Sequence, residues 1–340
     1  MIEIKELLST PKKIIITTHI NPDGDAIGSV LAMNQYLQMK GHEVKVLTPN
    51  DYPDFLKWMK GNHEIIIFHD NREKGERLIN SADLIFCMDY NEPSRLKDLG
   101  EKVLKSPAQK ILIDHHPNPE EIFDYKYSDI SVSSTAELLY RFITEMGDKN
   151  LINKDIAECL YSGIMTDTGC FSFNSSNPST FLTCAELLSK GIHKDKIFNL
   201  IYNNFSHDRM KLMGYCLNDK LKVIPELHTA YIWLTSEEFK RFNFKAGDTE
   251  GFVNLPHSIK DIHFTALFLE KKDHVKISFR SRGNFSVNEF SKKYFNGGGH
   301  KNAAGGESKL SMKETIVKFE TLLNEYAVEL KNTKWFSDES

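Results

Sequence analysis

The feature that most restricts the fold is a recurrence in the first half of the chain. Short apolar, β-branched runs occupy residues 13–18, 44–47, 64–68, 84–88 and 111–113, several of them separated by segments long enough for a crossover helix. Near-continuous apolar runs suit strands buried on both faces, which is the condition of a parallel sheet covered by helices. The expected architecture is therefore α/β, a doubly wound, mainly parallel sheet. Beyond residue 190 the rhythm changes. Strand-like runs at 230–234, 263–269 and 275–279 precede a short helix at 287–294, a glycine cluster and a long amphipathic helix at 312–330. These predict a smaller α+β domain. A chain of 340 residues is long enough for two cores, and the expected division is a catalytic domain at 1–190, a helical linker at 191–220 and a second domain at 221–340. The polar tail 331–340 is expected to fray.

Four polar clusters sit beside the apolar segments of the first half. His19, Asp23 and Asp25 follow the run at 13–18, and Asp89 follows 84–88. Asp114, His115 and His116 follow 111–113, and Asp167 ends an apolar helix expected from 155 to 165. Singly, each has an ordinary explanation: Asp25 as a helix cap, Asp89 as the start of a turn, the histidines as hydrogen-bonded core residues. A second cap is expected where Ser134 precedes Glu137 by three residues. Taken together the clusters converge, because the carboxyl ends of parallel strands lie along one edge of a sheet, where ligands bind. Several aspartates in one small site repel one another unless cations intervene, and a carboxylate-rich set with a minority of imidazole suits Mn²⁺ or Mg²⁺.

Composition narrows the possibilities. The net charge of −4 argues against a long basic track for duplex or extended single-stranded nucleic acid. Five cysteines, none in a C-x-x-C pair, suggest neither a disulfide framework nor a thiolate zinc site. No apolar run approaches the ~18 residues that span a bilayer, and the charged start of the chain lacks a signal-peptide core. A cytoplasmic protein without membrane contact is expected.

In the second half, Ser278, Arg280 and Arg282 alternate and would share one face of a strand. Arginine forks suit terminal phosphates, although two solvated arginines would look the same. The run Gly297-Gly298-Gly299-His300 can present backbone N–H groups to an anion, or serve simply as a flexible connection.

The motifs His19-x-x-Pro22-Asp23-x-Asp25, Asp89, Asp114-His115-His116 and Thr166-Asp167-Thr168-Gly169 together resemble those of the DHH phosphoesterases. Gly297 to His300 resembles the GGGH motif of the DHHA1 domain that follows in that family. The resemblance implies two Mn²⁺, with Mg²⁺ or Co²⁺ as substitutes. It implies that His19, Asp23 and Asp89 bind one ion, and that Asp25, Asp89, His115 and Asp167 bind the other, with Asp89 bridging. Asp114 would orient an imidazole, and His116 would face the phosphate and assist the leaving oxygen. Ser278, Arg280, Arg282, Gly297, Gly298, Gly299 and His300 would bind substrate. A two-metal water attack is implied, and Cys170 is expected to be a packing residue. Among branches, the chain looks like the nanoRNase and 3′-phosphoadenosine 5′-phosphate (pAp) phosphatase group, which acts on very short oligoribonucleotides or pAp. Alternatives are a phosphodiesterase for pApA or cyclic di-AMP, a pyrophosphatase, or a non-catalytic nucleotide-binding protein. A homodimer is compatible with an exposed sheet edge.

Overall fold

A computed structural model describes residues 2–333, so the fraying expected of the tail beyond 333 lies outside the described residues. Contacts divide the chain into two compact units, Met1–Asn204 and Phe205–Ser340.

In the first unit the order is α1 (Ile2–Leu7), β1 (Lys13–Thr17), α2 (Gly24–Met39), β2 (Glu43–Thr48), β3 (Ile66–Ile67), α3 (Arg72–Asn80), β4 (Leu84–Met88) and α4 (Asp98–Lys105). There follow β5 (Gln109–Asp114), β6 (Tyr125–Ser128), α5 (Thr135–Glu145), α6 (Lys154–Asp167), α7 (Pro178–Leu188) and α8 (Lys194–Tyr202). The six strands pair in the order β3-β2-β1-β4-β5-β6, all parallel. Successive residues of β1 point to opposite faces, as strand geometry requires. Ile14 and Ile16 join the core under α2, α5 and α6, while Ile15 joins the core under α3 and α4 with Ile79, Leu99 and Val103. The strand order reverses between β1 and β4, so the crevice beyond their carboxyl ends is where such a sheet binds ligands.

The second unit holds α9 (His207–Tyr215), β7 (Leu221–Ile224), β8 (Thr229–Leu234), α10 (Ser236–Arg241), β9 (Phe264–Glu270) and β10 (Val275–Ser281). It continues with α11 (Val287–Tyr294), β11 (Gly298–His300), β12 (Ala303–Ser308), α12 (Met312–Glu325) and α13 (Ala327–Lys331). Its sheet runs β11-β12-β10-β9-β8-β7, with β8 and β9 parallel and the other pairs antiparallel. Phe264, Phe268, Phe279, Phe290 and Phe319 build an aromatic core under α11 and α12. On the other face Ile232, Leu234, Leu267 and Leu269 pack with Leu212 and Cys216.

Several local expectations change. The region 191–220 is not a separate linker: α8 buries Ile197 and Ile201 in the first unit's core, whereas Leu212 of α9 lies in a core of the second. The run at 64–68 pairs only at Ile66–Ile67, because a 3₁₀ turn, Asn62–Glu64, uses its first residues. The long helix expected at 312–330 breaks at Tyr326, whose ring packs edge-on against Phe285 and Phe290. The glycine cluster is no loose connection but half of a hairpin, β11 on β12. Among the described residues no helix is long and apolar enough to cross a membrane.

Candidate metal centre and nucleotide-binding face

The loop leaving β1 begins the site. Asp23 caps α2, its Oδ1 accepting from the amides of Asp25 at 3.0 Å and Ala26 at 3.1 Å. The ordinary and the chemical reading of this turn therefore coexist, for Asp23 Oδ2 remains 3.9 Å from His19 Nε2. The cap is Asp23 rather than Asp25. His19 Nδ1 lies 2.9 Å from the Ile20 carbonyl. A carbonyl only accepts, so Nδ1 carries the proton, and the lone pair of the neutral ring sits on Nε2, as in imidazoles that ligate metals.

Asp89, just past β4, has a left-handed backbone, φ 63°. Its carboxylate is buried and its two oxygens face different partners. Oδ2 is 3.4 Å from His19 Nε2, and Oδ1 is 3.8 Å from His115 Nε2. His115 Nε2 is in turn 4.0 Å from Asp25 Oδ2 and 3.6 Å from Asp167 Oδ2. Potential ligand atoms of His19, Asp23 and Asp89, and separately of Asp25, Asp89 and His115, lie within 4.8 Å of one another. Asp89 belongs to both groups. All six residues expected to hold metal are thus brought together.

Electrostatics favours cations here. Burial, and then the charges of Asp89, Asp167 and Asp23, push the Asp25 carboxyl well above its usual range. Burial alone would also raise Asp89, but the hydrogen bond and charge of His19, with the charges of His115 and Arg95, hold it low. Burial would lower His19, yet the Asp89 and Asp23 carboxylates outweigh it and raise the imidazole. Carboxylates crowded this closely with two imidazoles are a donor set that fits Mn²⁺ or Mg²⁺.

Asp114, the last residue of β5, turns to His116 rather than to His115: Oδ1 is 2.7 Å from His116 Nδ1. Its carboxyl is pushed up to about 7 by burial and by the charge of Asp89, and its buried Oδ2 has no hydrogen-bond partner among the described residues.

Two contributors were not legible in the motifs. Thr135, opening α5, donates its hydroxyl to Asp89 Oδ1 at 2.9 Å and its amide to Asp25 Oδ2 at 2.7 Å, while the Ala136 amide reaches Asp25 Oδ1 at 2.8 Å. The helix N-terminus thereby satisfies both Asp25 oxygens. Ser134 caps α5 as expected, but the Glu137 carboxylate does not complete a box. It accepts instead from Ser133, Ser179 and Thr180, fastening the start of α7 to the start of α5. The second is Arg95, whose backbone carbonyl accepts from the Ile20 amide at 2.8 Å. Cys170 is a packing residue against the first core, its thiol raised by burial.

In the second unit, β10 alternates, with Lys276, Ser278 and Arg280 half-buried on one face and Val275, Ile277 and Phe279 in the core. Register joins the expected residues in two rows: Arg280 pairs with Ala303, which pairs with His300, and Ser278 pairs with Gly305, which pairs with Gly298. Arg282 falls one residue past the strand, its Nη1 donating to the His257 carbonyl at 3.0 Å. The three glycines differ. A Cβ on Gly297 would lie 2.0 Å from the Gly305 oxygen, and Gly299 has φ 148° with Ala303 O at 2.4 Å, so both are required by the hairpin. Gly298 has only ordinary contacts, at 3.6 Å or more.

A parallel sheet that gathers aspartates and histidines at its switch point, followed by a mixed-sheet unit with a glycine hairpin at one edge, defines a class of phosphoesterase. The chain belongs to the DHH family and is an enzyme of that class: residues 13–164 match the DHH family N-terminal domain and residues 227–329 match the DHHA1 domain. It is similar to the bifunctional oligoribonuclease and PAP phosphatase NrnA of Bacillus subtilis, 27% identical over 95% of this chain and 99% of that protein. The protein of that name from Thermus thermophilus is 29% identical, over 87% of this chain and 84% of its own. A crystal structure of an exopolyphosphatase-related protein from Bacteroides fragilis superposes with a TM-score of 0.92 at 43% identity, covering 97% of each chain.

Proposed function

We propose that this enzyme hydrolyses very short oligoribonucleotides to mononucleotides, and pAp to AMP and phosphate, with two Mn²⁺ held by His19, Asp23 and Asp89 and by Asp25, Asp89, His115 and Asp167. The observation that carries the reading is the divided carboxylate of Asp89, one oxygen toward His19 and the other toward His115. When bound, the cations supply charge neutralisation on the phosphate and activation of water. The protein's own part is orientation and proton management. The Ile20 carbonyl fixes the His19 tautomer, and Thr135 fixes the Asp89 carboxylate. Asp114 holds the Nδ1–H of His116, leaving Nε2 to give a proton to the departing ribose oxygen when the ring is protonated. In the second unit Ser278, Arg280, Arg282, Gly298 and His300 serve a nucleotide's phosphate, with Gly297 and Gly299 shaping the hairpin that presents them.

The names of the relatives support this substrate class, and the net charge of −4 agrees with a short substrate rather than an extended strand. The test is one panel under Mn²⁺: RNA dinucleotides and longer oligomers, pAp, pApA, cyclic di-AMP, pyrophosphate and short polyphosphate, with products resolved by chromatography. Highest kcat/KM on RNA dinucleotides or pAp is expected. Preference for pyrophosphate or polyphosphate would overturn the reading, and preference for pApA or cyclic di-AMP would move the substrate to the dinucleotide phosphodiesterases.

A further inference from the structure

The segments that build the metal centre, residues 18–25, 89–96, 114–118, 133–137 and 166–169, contain many acids and a single lysine or arginine, Arg95. It stands on a 3₁₀ turn, Pro93–Leu96, whose Pro93 and Leu96 are buried. That turn is fixed from three sides. The Arg95 carbonyl accepts from the Ile20 amide at 2.8 Å, so it grips the same residue whose carbonyl oxygen holds the His19 ring. Asn91 donates to the Pro117 carbonyl at 2.8 Å and its own carbonyl accepts from Glu120, tying the turn to the loop after His116. Gly100 of α4 approaches so closely that a Cβ there would lie 2.1 Å from Pro93 O.

On this rigid support the half-buried guanidinium makes no hydrogen bond or ion pair with the described residues. Its near neighbour Glu92 is taken by the Ser94 hydroxyl at 2.7 Å. The Arg95 charge is nonetheless felt at the centre. After burial, Arg95 is among the charges that act on His19, Asp89 and Asp114, opposing protonation in each. The turn that carries the group therefore packs against the loop that holds His19, and its planar donors are uncommitted among the described residues. That geometry fits a dianionic phosphoryl group better than any side chain present.

We propose that Arg95 is a substrate-binding residue whose guanidinium takes the non-bridging oxygens of the phosphoryl group at the metal centre. The assignment rests on the phosphoesterase reading given above. Its test is a binding measurement that does not need turnover: calorimetric titration of inorganic phosphate into the Mn²⁺-loaded wild type, R95A and R95K, with Mn²⁺ titrated separately into each metal-free protein. In R95A the phosphate dissociation constant should rise about ten- to a hundredfold, with Lys restoring part of it, while Mn²⁺ affinity does not fall. The KM for pAp should rise with it. Unchanged phosphate affinity in R95A would overturn the assignment, as would a loss of Mn²⁺ affinity equal to the loss of phosphate, which would make Arg95 a structural group. If the wild type hydrolysed none of the phosphoesters and phosphate binding still depended on Arg95, the substrate reading would fail and this assignment would stand.

Discussion

Asp89 and Thr135 hold the centre of the site at the scale of single residues. A non-glycine residue with φ 63° immediately after a buried strand is a sparsely used conformation, and such backbone persists where the surroundings determine it. Here it swings the carboxylate between two imidazoles, and the Thr135 hydroxyl at 2.9 Å fixes one oxygen in that position. A hydrogen bond to a ligating carboxylate is the kind of support whose loss costs roughly 10–100-fold in metal affinity or activity. Thr135→Val should weaken Mn²⁺ binding by about that factor, and Thr135→Ser should restore it because the hydroxyl returns. Calorimetric Mn²⁺ titration checks this; equal affinity in the Val variant would remove the positioning role.

At the scale of elements, close approach decides which residues meet. α2, α5 and α6 pack so tightly that a Cβ at Gly28 would lie 2.5 Å from the Cys159 oxygen, and one at Gly163 would lie 2.6 Å from Ala136 Cβ and 2.9 Å from Asp25 Oδ1. The small residues bring the N-terminus of α5 within hydrogen-bonding distance of Asp25. The second unit uses the same device in its hairpin, with different demands at adjacent positions. Gly297→Ala places a methyl against a backbone oxygen and should destabilise by about 1–3 kcal/mol through overpacking. Gly298→Ala has room and should leave the urea midpoint nearly unchanged while raising the KM for pAp, since the added methyl stands in the row with Ser278. Denaturation curves and steady-state kinetics of the two variants separate these outcomes; an unaffected KM for Gly298→Ala would remove that glycine from the binding face.

For the whole molecule, the proposed donors of the metal centre come from residues as far apart in sequence as His19 and Asp167, carried by the ends of β1, β4, β5 and α6. Cations that bind this arrangement only when it is folded must stabilise it. At a free Mn²⁺ concentration 100 times the dissociation constant, one site contributes about 2.7 kcal/mol. Mn²⁺ should raise the thermal midpoint, a chelator should reverse the rise, and Asp89→Asn should remove most of it. A midpoint indifferent to Mn²⁺ would contradict the ligand set.

The strands β1, β4 and β5 were legible from sequence because strands buried on both faces are written as unbroken apolar runs, and the candidate ligands were legible because they lie within a few residues after such a run or end a helix. The edge strand β6, Tyr125–Ser128, was not, since half its residues face solvent, and β11 and β12 were not, since glycine and alanine carry no strand signal. Local patterning thus determined the α/β rhythm, the second α+β unit and the identity of the acids and imidazoles. Tertiary structure alone decided that Asp114 serves His116, that Thr135 and Ala136 hold Asp25, and that the turn bearing Arg95 is tied to the loop of His19. Those relations depend on strand order and helix approach, which set distances between residues up to 111 positions apart, and no one-dimensional pattern contains such a distance.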